Sequence, residues 1–320
     1  MSQNGESQRF RVVDRLVPIA GTWAIEPEMA TFTGYDDPSF KVGIALGDVR
    51  ASSGMVRAEV ELNEVEEASA HFVFGYDSAR AAGWSIGIGG FGHAYSLDRF
   101  AIGQGAVLVH GLGVKANLKP HEPYRIETIF RGSNVQLSVN SVKVFEHNLP
   151  HALAGDQVGI WAYGDGRVTF RDVQVATLRP RAFVVMQFTE PYNSLWEEVI
   201  KPVAGKVGFD AYRSDDVFGP GVVLQDIVRG ISTSQAIIAE VTPSNANVYY
   251  ELGYAHAVGT PTILLAEQPH EGRATLPFDI SGFRCIFYDD AIRGKRKVEV
   301  ALERHLRNIL DRSDNGVVAD

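Results

Sequence analysis

The chain has one cysteine, Cys285, in 320 residues, so no disulfide can form within it, and a reducing cytoplasm is the compartment this usage fits. It lacks any apolar run near the ~18 to 20 residues that a membrane-spanning helix needs, so no membrane partner is expected. Its opening stretch, MSQNGESQRFRVVDR, is polar and has no apolar h-region of a signal peptide. An excess of positive charge is missing as well: 30 Lys and Arg against 39 Asp and Glu give a formal charge of -9. That balance argues against bulk nucleic-acid binding, which needs a basic surface to neutralise phosphates. It leaves room for a small basic pocket around one nucleotide. No His and Cys cluster stands at ligand spacing, so neither a metal site nor a resident cofactor is expected. What is present is ordinary for a globular chain, 45% hydrophobic and 22% charged, at the length of two domains.

The two halves have different grammar. From residue 15 to residue 178, stretches such as MVRAEVELNE, HFVFGYD, YRIETIF, NVQLSVN and VTFRDVQVATL alternate apolar and polar residues. Turn clusters GYDDPS, GIGGFG, RGSN and YGDGR separate them. Many short strands without a helix predict an all-β sandwich of two antiparallel sheets. The stretches GTWAIEPEMATFTG, YRIETIFRGSNVQLSVNSVKVFE and DQVGIWAYGDGRVTFRDVQV resemble a concanavalin-like or laminin-G-like jelly roll. That resemblance implies a glycan or protein ligand. It does not bring a glycosidase pair of carboxylates: Glu59 and Glu61, two apart beside Arg57, share the solvated face of one strand. Asp36 and Asp37, adjacent in a turn, read as turn chemistry before a calcium site.

After the seam LRPRAF the pattern becomes alternating strand and helix over residues 182–312, with tails at 1–14 and 313–320. AFVVMQF is a nearly continuous apolar run, as in a strand buried on both faces. YNSLWEEVIKPVAGKVG puts Leu195, Val199, Val203 and Val207 on one helical stripe, with Pro202 as a kink. FDAYRSDD, QAIIAEVT, PTILLAE and CIFYDD read as further strands, PGVVLQDIVRGIST and the segment from Asn247 as helices, and Val298 to Leu310 as a terminal helix. Repeated strand-helix units predict an α/β flavodoxin-like parallel sheet. Such sheets bind ligands beyond the carboxyl ends of their strands, at the switch point in strand order.

Three segments should meet there: Gln187, Phe188 and Thr189 after the first strand, Asp215 and Asp216 after the second, and Pro243 to Asn247 after the third. Glu251 follows in the first turn or so of the next helix. An acid there has a plain explanation in the helix macrodipole, and Asn245 or Asn247 in a simple N-cap. Gly253 removes a side chain where a ligand or strand could approach. His256 reads as packing or solvated rather than catalytic.

QAIIAEVTPSNANVYYELGYAHAVGTPTILL resembles the core motif of the nucleoside 2-deoxyribosyltransferase superfamily, whose relatives include deoxynucleoside-monophosphate N-glycosidases. Together with FVVMQFTEPYNSLWEEVIKP and LPFDISGFRCIFY, the likeness extends to a bacterial TIR-like branch and covers Ala182 to Tyr288. It implies a glutamate, here Glu251, that attacks the anomeric carbon of a nucleoside, a nucleotide or NAD. It implies a sugar- or phosphate-contacting residue six positions earlier, here Asn245, where the transferases commonly have Asp and the monophosphate hydrolases Ser. A further catalytic Asp on the preceding helix falls on Ile227, with Asp226 one place away; Asp226, Asp216 and Asp215 are the acids available. Phe188, Tyr249 or Tyr250 could stack on the base. Backbone N–H groups from Thr189 to Asn193 could hold phosphate, with Arg213 adding charge. Two rival readings stand beside the enzyme: a non-catalytic nucleotide sensor using the same crevice, and a TIR-like interaction protein. The TIR-like resemblance also implies a homo-oligomer.

Overall fold

Alternation of side chains about an extended backbone is what shapes the first half. The computed structural model describes residues 11–12, 15–35, 41–153, 155–214, 223–268, 276–289 and 291–315. Within them, the chain to residue 177 forms β1 (Arg11–Val12), β2 (Leu16–Ala20), β3 (Thr22–Glu26), β4 (Met29–Gly34), β5 (Val42–Ala51), β6 (Gly54–Leu62), β7 (Ser69–Asp77) and β8 (Ala82–Ile88). It continues through β9 (His93–Ala101), β10 (Gly105–Val114), β11 (Pro123–Arg131), β12 (Asn134–Val139), β13 (Val142–Asn148), β14 (Asp156–Tyr163) and β15 (Val168–Thr177). One antiparallel sheet runs β13-β12-β11-β6-β15-β4-β3 with β1 beside β15, and the other runs β10-β9-β8-β7-β14-β5-β2. The two face each other as a jelly-roll sandwich. Strand β11 shows the expected period, its even-numbered residues Tyr124, Ile126, Thr128 and Phe130 buried against their more exposed neighbours. Between the sheets lie Phe32, Val60, Leu62, Phe72, Phe74, Phe130 and Phe170. Phe74 and Phe130 stack at 5.5 Å. Burying each such ring removes apolar area worth about 1.5–3 kcal/mol from water.

The outer face of the seven-stranded sheet departs from the expected alternation, since β7 is buried on both sides. Val42, Ile44, Leu46, Val73, Tyr76, Phe100 and Trp161 form a second apolar cluster there. Beside it His71 Nδ1 lies 3.1 Å from Asp98 Oδ2, and Ser96 Oγ donates to the same oxygen at 3.1 Å. His71 also stacks on Trp161. The backbone of Gly90 covers this network so closely that a Cβ there would sit 2.1 Å from Ser96 Oγ. The glycine of GIGGFG therefore closes a polar group away from water.

The second half contains β16 (Arg181–Val185), α1 (Tyr192–Leu195), a wide turn over Trp196–Ile200, α2 (Lys201–Val207), β17 (Asp210–Arg213), α3 (Val223–Ser232), β18 (Ala236–Glu240), α4 (Ala246–Ala257), β19 (Thr262–Glu267), β20 (Cys285–Tyr288) and α5 (Ile292–Asn315). Its five strands are all parallel in the order β17-β16-β18-β19-β20, so the switch point lies between β16 and β18. The first helical segment buries Trp196, Val199, Ile200, Val203 and Ala204, while Leu195 and Val207 of the expected stripe are only partly covered. The wide turn comes just before Pro202, whose ring nitrogen has no hydrogen to close a regular turn. Arg11 and Val12, placed by the sequence in a loose tail, pair with Val175 and Gln174. The terminal helix runs on to Asn315, past its expected end.

The two halves are docked through backbone. Ser133 N donates to Ser232 O at 2.9 Å, and Gln235 reaches the Ser52 carbonyl at 3.4 Å while its own carbonyl accepts from Arg181 N at 2.8 Å. Gly132 has φ +56°, and a Cβ on it would meet Ser232 O and Ser234 O at 2.6 Å. These contacts sit at the amino ends of β16 and β18. The sandwich therefore leaves the carboxyl ends of the parallel strands clear.

Candidate functional site

At the carboxyl end of β16 the structure gathers Phe188, Arg213 and Asn193. The Arg213 guanidinium lies 5.0 Å from the Phe188 ring and 5.3 Å from Trp196, and donates to Asn193 Oδ1 at 2.9 Å. Arg213 is buried, with two rings and an amide around its guanidinium. In the stretch from Thr189 to Asn193, where backbone N–H groups were expected to hold phosphate, one amide is already paired. Asn193 N donates to Thr189 O, and Glu190 accepts from both Ser194 N and Ser194 Oγ. Gln187 is half-buried beside Phe188, and Phe188 and Thr189 are exposed.

Helix α4 starts at Asn245, whose side chain accepts from Asn247 N at 2.9 Å. That is the N-cap reading, and it assigns Asn245 Oδ1 and the Asn247 amide to the helix end. The helix buries Val248, Leu252 and Ala255 against the sheet. At about 100° per residue, Tyr249 and His256 fall on one flank, and Glu251 and Tyr254 on the other. His256 stacks on Phe283 at 4.3 Å, so its flank faces β20. Glu251 takes the flank toward α3, the helix packed against α4. It stands in the second turn rather than the first, beyond the reach of a simple end-charge effect. It is half-buried and has no hydrogen-bond partner among the described residues. Burial alone pushes its carboxyl up to about 7.

Asp226 is half-buried in the first turn of α3. Asp215 and Asp216 lie outside the described residues, as do Asp36 and Asp37. Tyr250 points outward and is exposed, whereas Tyr249 packs inward with its hydroxyl near Ser244 Oγ and Val241 O. Gly253 is exposed, and a Cβ on it would meet nothing within 4 Å. Of the ligand or strand expected to approach there, no strand does among the described residues. Among the described residues no group of three or more His, Cys, Asp or Glu could hold a metal ion.

The opposite face of the sheet carries a group that the sequence reading missed. Glu240, Glu267 and Tyr288 are the last residues of β18, β19 and β20, and share the face covered by α1 and α5. Glu240 is buried, with Oε1 accepting from Thr242 N at 2.8 Å and Oε2 unpartnered among the described residues. Burial pushes its carboxyl up to about 8, against the opposing pull of its hydrogen bond from the Thr242 amide. Thr242 Oγ1 accepts from Glu267 N at 3.0 Å, which ties the loop toward α4 to the end of β19. Burial and the nearby Glu267 push the Tyr192 hydroxyl up to about 12. A cavity of about 130 Å³ opens beside this group, lined by Tyr192, Glu198, Glu267, Tyr288, Asp289 and Lys295. The signal was available: in β18, β19 and β20 the final residue breaks an apolar run with a hydrogen-bonding side chain.

No family model and no curated protein matches the chain. Among solved structures, it is similar to a carbohydrate-binding module of Bacillus subtilis at 15% identity and TM-score 0.43, covering 52% of this chain and 97% of the other. A β-glucanase of Bacillus licheniformis matches at 11% identity and TM-score 0.36, over 55% of this chain and 95% of the other. A galectin of Caenorhabditis elegans matches at 11% identity and TM-score 0.31, over 46% of this chain and 95% of the other. The likeness falls on the sandwich half. Likenesses this distant say nothing of a ligand or an activity for this chain.

Proposed function

We propose that the α/β half cleaves, or transfers the sugar across, the N-glycosidic bond of a nucleoside, a nucleotide or NAD, with Glu251 as the attacking carboxylate. The observation that carries this reading is Glu251 itself. It is an acid without a partner among the described residues, desolvated to about 7, on a helix that begins at the switch point of a parallel sheet. A structural charge has a partner; a reacting one needs an open side. Breaking the C1′–N bond builds positive charge on the sugar, which a nearby carboxylate stabilises or captures. The Glu251 oxygen bonds to C1′ as the base departs with the bonding electrons. The base takes a proton from an acid, for which Asp226 is the described candidate. Water or a second base then displaces Glu251 in a reverse step, as in a retaining glycosidase. Tyr250 and Phe188, both exposed, are the rings able to meet a base.

Arg213 and Asn245, each committed to a structural bond, favour a second reading in which the same crevice senses a nucleotide without turning it over. For the sandwich, a glycan or protein ligand would meet the open groove along Arg57, Glu59, Arg125, Glu127, Asp172 and Gln174 on the outer face of the eight-stranded sheet. The deciding experiment incubates wild type and Glu251→Gln with NAD, deoxynucleosides and nucleoside monophosphates, and reads free base by chromatography. Release by wild type and its loss in a folded variant is the expected result. Release that survives Glu251→Gln removes the glutamate from the chemistry, and no release from any substrate moves the reading to the sensor.

A further inference from the structure

Two stacked sheets have four outer edges, and three of these are blunted. Strand β2 is five residues long and contains Pro18; β3 is five residues long and ends in Glu26; β13 carries Lys143 and Glu146, which pair with each other. Short length, proline and charge are the devices that keep sheet edges from pairing with other chains. Strand β10, GAVLVHGLGV, has ten residues with no proline and no Asp, Glu, Lys or Arg. Among the described residues it pairs with β9 on one side only. Val107 is 68% exposed and Val114 61%, with Val109 and Leu112 also open to solvent. Its one protection is a bulge between Leu108 and His110, which leaves a regular run on either side. Phe91, exposed in the turn beside it, extends the apolar strip. Strand β13 lies beneath β10, where His110 meets Phe145 at 4.8 Å and His147 at 5.3 Å.

We propose that β10 is the docking edge for a second copy of this chain, the two strands pairing antiparallel about a two-fold axis. Charge argues for this occupant. The whole chain carries -9, so two copies repel over most of their surface, and β10 is an edge where they meet without a like-charge cost. Size argues for it too. Ten residues span about 33 Å, and with the strand beneath the strip is about 20 Å across. That offers about 650 Å² per copy, close to the about 800 Å² of a standard interface. Pairing β10 with itself closes after two copies, whereas pairing it with the β2 edge would build an open filament, which Pro18 opposes.

The test is light scattering on the full chain after size exclusion, at several concentrations, for wild type, Val107→Lys with Leu112→Lys, and Val17→Lys on the β2 edge. Wild type should have twice the 35.0 kDa chain mass. The double variant, folded by circular dichroism, should dissociate about 100-fold more readily or be monomeric, and Val17→Lys should remain a dimer. If the double variant does not fold, Val114→Lys at the strand's end carries the same expectation. A wild-type monomer at the highest soluble concentration overturns the proposal. So does an oligomer that the β10 lysines leave intact, or one that Val17→Lys dissolves.

Discussion

Two glutamates near the carboxyl ends of the same parallel strands differ in what surrounds them. Glu240, at the end of β18, faces α1 and α5; Glu251, on α4, faces α3. Burial raises both carboxyls, to about 8 and about 7. Glu240 accepts from Thr242 N, and Tyr288 and Glu267 stand close to it. Glu251 has no such cage among the described residues. One buried acid is built into the end of the sheet and shapes a loop; the other is held desolvated with no partner among the described residues. A shifted carboxyl is therefore not by itself a sign of chemistry, and its company decides.

The widest separation of the two should come from activity. Glu251→Gln keeps the side chain's size and removes its charge, so base release should fall about 10³-fold or more while the melting temperature holds or rises. The same change at Glu240 should leave most of the activity, because a glutamine imitates the protonated form that burial favours there. Matched losses of activity from Glu240→Gln and Glu251→Gln, with both proteins folded, would break the contrast and put both acids in one mechanism.

Stability should reverse the order. Glu240→Ala leaves the Thr242 amide without its acceptor in a buried place and should cost about 1–3 kcal/mol in urea unfolding. Glu251→Ala removes a desolvated group that has no described partner and should cost less than half of that.

How much of this contrast was legible beforehand depends on what carried the signal. Glu251 stood out because a single acid in a helix start is a local pattern, and the strand-helix alternation around it is visible in the chain. The segment from Asn247 was recognisable as a helix, and QAIIAEVT as a strand. The face to which that strand's last residue turns was not, because a continuous apolar run hides the alternation that would assign it. Glu240, Glu267, Tyr288 and Tyr192 also come together from four separate elements, which no spacing along the chain reports. The same limit applies in the sandwich: His71, Ser96 and Asp98 form a buried network only because Gly90 folds over them. Nothing local to Arg213 announces the two rings and the amide around it.

Acidity separates the pair by a smaller margin. Both folded carboxyls hold their protons more tightly than in the unfolded chain, where a glutamate ionises near 4.5. The stability this confers is whole below about 4.5 and is lost as pH climbs toward about 8, since the unfolded state gives up its protons first. Asp156, raised to about 6 mainly by burial, adds to the lower part of that slope. Wild type should therefore lose resistance to urea between pH 5 and pH 8, and Glu240→Gln should flatten the upper part of the fall more than Glu251→Gln. Base release should instead rise through about pH 7 as Glu251 ionises. A falling limb there would make Glu251 the proton donor and transfer the attack to another group.

Gly253 gives the finest cut. It lies two residues after Glu251 on an exposed part of α4, and a methyl group added there meets nothing within 4 Å. In a helix interior, Gly→Ala recovers about 0.5–1 kcal/mol because alanine loses less backbone freedom on folding. Gly253→Ala should therefore raise the unfolding midpoint slightly and leave base release unchanged. If the variant is more stable yet its KM rises, a substrate comes close to that stretch of helix when bound. The substrate would then extend past Glu251 along the outward side of α4, toward Tyr250, and the exposed tyrosine would be its contact rather than a bystander.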